Sequence, residues 1–118
     1  MCKGIEAINK TAKGELNFCR NCQQFHLEFN NIYFEFTPVE YKQFRKYVLL
    51  IESEFWERKY ANANVRRKIP IPTLQENLVL MFNRQEVAEL KALISYKKEA
   101  VFNSILNVDD IDYTFIIN

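Results

Sequence analysis

The residues best suited to chemistry in this sequence are two thiols, Cys19 and Cys22, separated by Arg20 and Asn21. A C-x2-C pair offers two thiolates to one metal ion from a single tight turn, as in zinc knuckles and ribbons. A tetrahedral ion asks for four donors, and no second such pair exists in the chain. Cys2 is the third candidate, since the arm that carries it is long enough to fold back. His26 is a poor fourth: with residues 22 to 26 extended it stands roughly 13 Å from Cys22. The expected site is therefore a zinc ion on Cys2, Cys19 and Cys22, with water, Glu15 or His26 in the remaining position. Water there would open a route to catalysis, whereas a fourth protein ligand would make the site structural. The same pair can also be read as a redox couple. Such couples sit at a helix N-terminus that lowers the thiol pKa, and here the following residues alternate like a strand. The plainer expectation, ahead of both, is that the cysteines are small buried apolar residues or exposed thiols.

Other chemistry is thinner. His26, the only histidine, lies beside Glu28 and could act as a general base, but no positioned nucleophile accompanies it; a surface histidine is the plainer expectation. Glu28 and Glu35 fall on neighbouring strands as a conceivable carboxylate pair, with solvent-facing charges as the simpler account. Between Arg58 and Lys68 stand five basic residues (Arg58, Lys59, Arg66, Arg67 and Lys68) and no acid, flanked by Trp56 and Tyr60. Cations beside aromatic rings suit phosphates and stacked bases. A net charge of +1 provides no general attraction to nucleic acid, however, and no RNP or GXXG signature is present. The acidic cluster Asp109, Asp110 and Asp112 offers this basic loop an alternative partner within the protein or in a second copy.

These residues must be held by regular elements. Residues 1–13 are weakly patterned and read as an arm. Leu16 and Phe18 form a short strand running into Cys19. Phe25, Leu27 and Phe29 alternate with polar neighbours, the period of a half-buried strand. Asn30-Asn31 makes a tight turn, and Ile32 to Phe36 returns. Thr37-Pro38-Val39-Glu40 is a capping box with proline at the first helical position. Tyr41, Phe44, Tyr47, Val48, Ile51 and Phe55 then mark the apolar face of one helix from about 38 to 58, with Arg45 among the residues of the opposite face. Ile69-Pro70-Ile71-Pro72 suits an edge strand or extended loop. Asn77 to Phe82 reads as a buried strand. Asn83 to Glu86 caps a second helix bearing Val87, Leu90, Leu93 and Ile94, and extension past Lys98 to about Leu106 is left open. Ile111, Tyr113, Phe115 and Ile117 close the chain as a strand.

A shift of 46 residues lays Asn31, Phe36, Thr37 and Glu40 onto Asn77, Phe82, Asn83 and Glu86. The expected fold is α+β, with two amphipathic helices on one face of a mainly antiparallel sheet in the order ββα-ββα-β. Residues 1–118 form a single domain, and the repeat units cover about 23–58 and 67–106.

The 118 residues suit one domain, and ten Phe and six Tyr supply a substantial core. With two Gly, phosphate-cradling loops are disfavoured. No apolar run approaches the roughly 18 residues that span a bilayer, and no secretory h-region is readable at Met1 to Ile5, so a cytoplasmic protein without membrane contact is expected. The stretches Phe25 to Thr37 and Arg67 to Asn83 are similar to a family of short uncharacterised proteins of Bacteroidetes-type bacteria. The resemblance extends over most of the chain, including the early cysteines and the Asp109 to Tyr113 ending. It implies a cytosolic bacterial protein and brings no activity. The leading functional expectation is a binding or adaptor module that contacts a protein partner or a second copy, rather than an enzyme. A zinc-stabilised, nucleic-acid-associated regulator and a small thiol-dependent enzyme are the alternatives.

Overall fold

Alternation through Leu16, Phe18, Phe25, Leu27 and Phe29 builds one wholly buried row of side chains, and the strands carrying it form an antiparallel meander. The computed structural model describes residues 4–95. Its first sheet runs in the order β1 (Ile5–Thr11), β2 (Gly14–Cys19), β3 (Gln24–Phe29) and β4 (Ile32–Phe36). Asn30 takes the left-handed conformation, φ +53°, in the two-residue turn between β3 and β4. Its N–H donates to the Lys13 carbonyl at 2.8 Å, joining that turn to the one between β1 and β2. Gly14 faces the Glu28 carbonyl so closely that any Cβ would run into it.

Two helices cover one face of this sheet, as the sequence suggests. Helix α1 (Pro38–Leu49) lies over β3 and β4, and α3 (Arg84–Ser95) lies over β1 and β2 and against α1. Both begin with the expected box. The Glu40 N–H donates to Thr37 Oγ1 at 3.2 Å while Glu40 Oε1 accepts from the Thr37 N–H at 2.9 Å. At the other start, the Glu86 N–H donates to Asn83 Oδ1 at 2.8 Å, and Glu86 Oε1 accepts from the Asn83 N–H at 2.9 Å. Each box satisfies two donors that a helix start would otherwise leave unpaired. Between the helices come α2 (Ser53–Lys59) and a separate antiparallel hairpin of β5 (Ile69–Pro72) and β6 (Val79–Phe82).

Several expectations are corrected. Residues 5–11 are not an arm but strand β1, paired with β2 across a register shift between Ala7 and Asn9. Only Ile8 of this edge strand is buried, so no alternation signals it. The helix expected over 38–58 is broken: α1 stops at Leu49, Glu52 is extended, and α2 starts at Ser53. No proline or glycine makes the break. It turns α2 onto β5 and Trp56 onto the core, and Lys91 Nζ donates to the Ile51 carbonyl at 2.7 Å. Arg45, assigned by spacing to the polar face, is buried between α1 and α3 and donates Nε–H to the Ile94 carbonyl at 3.0 Å. The face of α1 is rotated to match, leaving Tyr47 exposed and Phe44 half-buried. The run 77–82 is not a buried strand either, since Leu78, Val79 and Met81 are exposed.

The observed order through residue 95 is thus ββββααββα, and the strand pairs of the two repeat units lie in different sheets. The repeat survives in the passage from strand through cap to helix, where Tyr41 and Val87, then Val48 and Ile94, are buried at matching places. The expected closing strand and the extension past Lys98 lie outside the described residues.

Replacing Thr37 or Asn83 by Ala should cost about 0.5–2 kcal/mol each in a chemical denaturation series, since a helix-start N–H loses its acceptor. Tyr41 gives the opposite test. Its ring is fully buried and stacks on Phe25 at 4.2 Å, while its hydroxyl has no hydrogen-bond partner among the described residues. Burial pushes that phenol's pKa far up, so it stays neutral. Tyr41→Phe should be neutral or stabilising by about 1 kcal/mol, because an unsatisfied buried hydroxyl is removed.

Candidate functional site

Edge strand β4, helix α1 and the β5–β6 loop enclose an apolar cleft of about 440 Å³. Its floor is aromatic: Phe34 packs on Phe36 at 4.9 Å and on Phe44 at 5.3 Å between ring centres. Its far wall is Pro72, Leu74, Leu78 and Leu80. Thr73 fixes that loop, donating Oγ1–H to the Leu78 carbonyl at 2.8 Å and accepting from the Gln75 N–H at 3.1 Å. Leu74 is thereby presented 70% exposed on a hydrogen-bonded turn. Tyr47 closes one end, donating its hydroxyl to the Pro70 carbonyl at 3.1 Å, and burial raises its pKa. Tyr33 donates to Glu35 Oε2 at 3.0 Å; burial and that carboxylate raise its pKa, which keeps it a neutral donor.

Main-chain groups line the cleft as well. Phe29 pairs with Ile32 across the two-residue turn, Leu27 with Phe34 and Phe25 with Phe36. Those are the hydrogen-bonded pairs of an antiparallel ladder, so the N–H and C=O of the alternate residues, Tyr33 and Glu35, point away from β3. No strand pairs with that edge among the described residues. A second trough of about 550 Å³, lined by Lys46, Leu50, Ile51, Phe55 and Trp56, lies across the ridge of Gln43 and Tyr47. Of the eleven large apolar side chains exposed among the described residues, six (Tyr33, Tyr47, Leu50, Phe55, Leu74 and Leu78) line these two depressions. Exposed apolar side chains are thus concentrated around these two depressions.

The cysteines lie elsewhere. Cys19 ends β2, fully buried and outside any disulfide, and its Sγ accepts from the Cys22 N–H at 3.4 Å across the turn. Cys22 is engaged in a disulfide, and Cys2 lies outside the described residues. No group of three His, Cys, Asp or Glu side chains able to hold a metal occurs among the described residues. His26 is not on the surface as expected. It is 9% exposed at the centre of the sheet, opposite Asn17 and Glu35, with Tyr33 edge-on to its ring. Glu35 Oε2 lies 3.9 Å from its Nε2, beyond hydrogen-bond range. Glu28 and Glu35 are not opposite one another, since Glu28 faces Tyr33 and Glu15.

The basic segment is partly spent within the fold. Arg67 grips Glu86 with two bonds of 2.8 and 3.0 Å, and Lys68 Nζ donates to the Tyr60 and Ala63 carbonyls at 3.0 Å each. Lys59 lies 5.2 Å from the Trp56 ring centre. Of the five cations, Arg58 and Arg66 make no side-chain hydrogen bond among the described residues. The cleft residues were invisible to motif reading. Tyr33 sits on the polar side of its strand, Leu74 sits in a polar loop, and Leu78 falls in the apolar run 77–82 that reads as a buried strand. The only hint was large apolar side chains among turn residues.

Among the described residues, fold and surface together define a mixed α+β protein with an apolar cleft beside the unpaired edge of β4. The chain belongs to DUF6686, a family of unknown function whose family model matches residues 1–118. No curated protein and no solved structure matches it. No helix among the described residues is long and apolar enough to cross a membrane.

Glu86 serves two structures at once, the α3 cap and the clasp on Arg67. The hydrogen bond from Arg67 holds its carboxyl below the usual carboxylate range. A depressed folded pKa stabilises the fold above the unfolded value of about 4.3 and loses that contribution as pH falls through the folded value. Glu86→Gln keeps a capping acceptor and removes the charge. The variant should melt lower at pH 7, and its melting temperature should fall less steeply than the parent's below about pH 4.3; parallel curves would refute the clasp.

Proposed function

We propose that this protein is a binding module that takes an extended, apolar segment of a partner chain along β4. The observation that carries this reading is the open cleft itself. Outward main-chain groups of Tyr33 and Glu35 stand beside an apolar trough floored by Phe34 and Phe44. Strand addition needs both components: main-chain bonds provide affinity, and a trough for alternate side chains provides selectivity. A volume of about 440 Å³ lies in the range of built ligand sites, roughly 300–1,000 Å³.

Two of the other edges are less suited to pairing. Edge strand β1 carries an irregular register and Lys10, both of which discourage it. Strand β5 has prolines at positions 70 and 72, so its outer edge lacks those donors. Strand β4 has no such protection. Nucleic-acid binding is a weaker reading, because Arg67 and Lys68 are already committed within the fold.

The test is selection from a phage-displayed library of ten-residue peptides on the full chain, with affinities then measured for synthetic versions. Peptides with alternating apolar residues should be enriched, and they should bind a Leu74→Asp/Leu78→Asp variant at least about tenfold more weakly, as expected when an apolar anchor is lost. Both positions are exposed, so the fold should be unaffected. Enriched peptides that bind this variant as well as the parent would exclude the cleft.

A further inference from the structure

We infer that the partner chain is a second copy of this protein: two β4 strands pair edge to edge, antiparallel, about a two-fold axis at Phe34. The inference rests on the reading of β4 as a strand acceptor and names the chain it accepts.

The main chain fixes how such a pair forms. Tyr33 and Glu35 present their N–H and C=O groups away from β3. The next residue in that phase is Thr37, and both of its groups are committed to the start of α1. Its N–H donates to Glu40 Oε1 at 2.9 Å, and its carbonyl accepts from the Tyr41 N–H at 2.9 Å. The preceding residue in phase, Asn31, belongs to the turn. The edge therefore offers the groups of Tyr33 and Glu35 alone.

Antiparallel strands exchange hydrogen bonds only where outward residues meet. The axis of a symmetric pair accordingly falls at Tyr33, at Phe34 or at Glu35. An axis at Phe34 sets Tyr33 opposite the second copy's Glu35, and Glu35 opposite the second copy's Tyr33. Each of those pairs exchanges both of its main-chain bonds, so every outward group is satisfied. An axis at Tyr33 pairs that residue with its own copy and leaves Glu35 against the turn. An axis at Glu35 sets two carboxylates directly opposite, which is destabilising, and leaves Tyr33 against the committed Thr37.

The side chains select the same register. Tyr33 is 57% exposed, and its hydroxyl already donates to its own Glu35 at 3.0 Å. Across an axis at Phe34 the same donor and acceptor face each other twice, because an isologous contact repeats every pair in reverse. Glu35 is the only charged residue of β4, and its two copies then stand diagonally, about 7–8 Å apart. On the other face Phe34 meets its own copy, and Ile32 meets the second copy's Phe36. Opposed aromatic and β-branched side chains are favoured cross-strand pairs. Ile32, Phe34 and Phe36 also line the cleft, so association covers its apolar surface. An edge without lysine, proline or bulge invites such pairing, and β4 has none of the three.

The test is sedimentation equilibrium of the full chain over a wide concentration range, beside Tyr33→Glu, Tyr33→Lys and Glu35→Lys variants. The parent should form a concentration-dependent dimer. Tyr33→Glu sets like charges opposite one another and should raise the dimer dissociation constant at least about tenfold. Tyr33→Lys sets opposite charges together and should leave that constant unchanged or lower it. Both variants lose the same ring, so lost packing alone would move them alike. Mixing the Tyr33→Glu and Glu35→Lys chains brings the new carboxylate opposite the new ammonium and should restore association. Both positions are more than half exposed in the single protein, so the fold should persist, and circular dichroism of each variant checks that. A parent that stays monomeric at every concentration overturns the inference, and library peptides that bind it leave the cleft a strand acceptor for a foreign chain. A dimer that Tyr33→Glu and Tyr33→Lys alter alike, or that the mixture fails to restore, is built on another surface and also overturns it. If the parent is monomeric and no library peptide binds, both readings fail.

Discussion

The placement of everything around the cleft depends on one buried cation. Arg45 lies between α1 and α3 and donates to the Ile94 carbonyl. Burial works against its charge, yet a guanidinium does not give up its proton inside a protein. The two helices are held at the separation that keeps this bond, since a hydrogen bond to a charged group contributes about 1.5–3 kcal/mol. That separation sets α1 over β3 and β4, and α3 over β1 and β2. Asn9 strengthens the second placement from the sheet side, donating Nδ2–H to the Leu93 carbonyl at 3.1 Å. With α1 so positioned, Phe44 falls at the margin of the core, and the trough begins where that ring ends.

Local chemistry made much of the architecture legible, and the exceptions have physical causes. Thr37 with Glu40 and Asn83 with Glu86 announce helix starts because capping is satisfied within four residues and needs no tertiary partner. The rows in β2 and β3 are readable because one face is wholly buried, which enforces period two. Strand β1 buries only Ile8, so its order comes from pairing with β2 and leaves no pattern in its own residues. Arg45 defeats face assignment because its suitability for the interior is conferred by a carbonyl 49 positions away. The interruption after Leu49 is likewise made by tertiary contacts of Trp56 and Lys91 and carries no glycine or proline to signal it.

The candidate site was the least legible part, for a related reason. Motif reading finds donors close together in sequence, and so it went to Cys19 and Cys22. A cleft is made by surfaces that fail to meet, and no spacing rule encodes a gap. The basic segment shows the reverse error. Read as a free cationic stretch, it contains Arg67 and Lys68, which are structural: one clasps the start of α3, and the other gathers the carbonyls of the loop after α2. A cluster of like charges is thus partly the fastening of a long connection.

Among the described residues the two sheets share a core but form separate ladders, β4 belonging to one and the β5–β6 hairpin to the other. The walls of the trough are joined by packing of Phe29 on Phe82 and by the Tyr47 hydroxyl on the Pro70 carbonyl. Packing of that kind yields more readily to sliding than a continuous ladder does. Gap width is then the softer coordinate, and whatever fills the gap adds a further tie between the two sheets. Occupancy would be registered in the calorimeter as a negative heat-capacity change from buried apolar surface, and in the molecule as a loss of relative motion between its sheets.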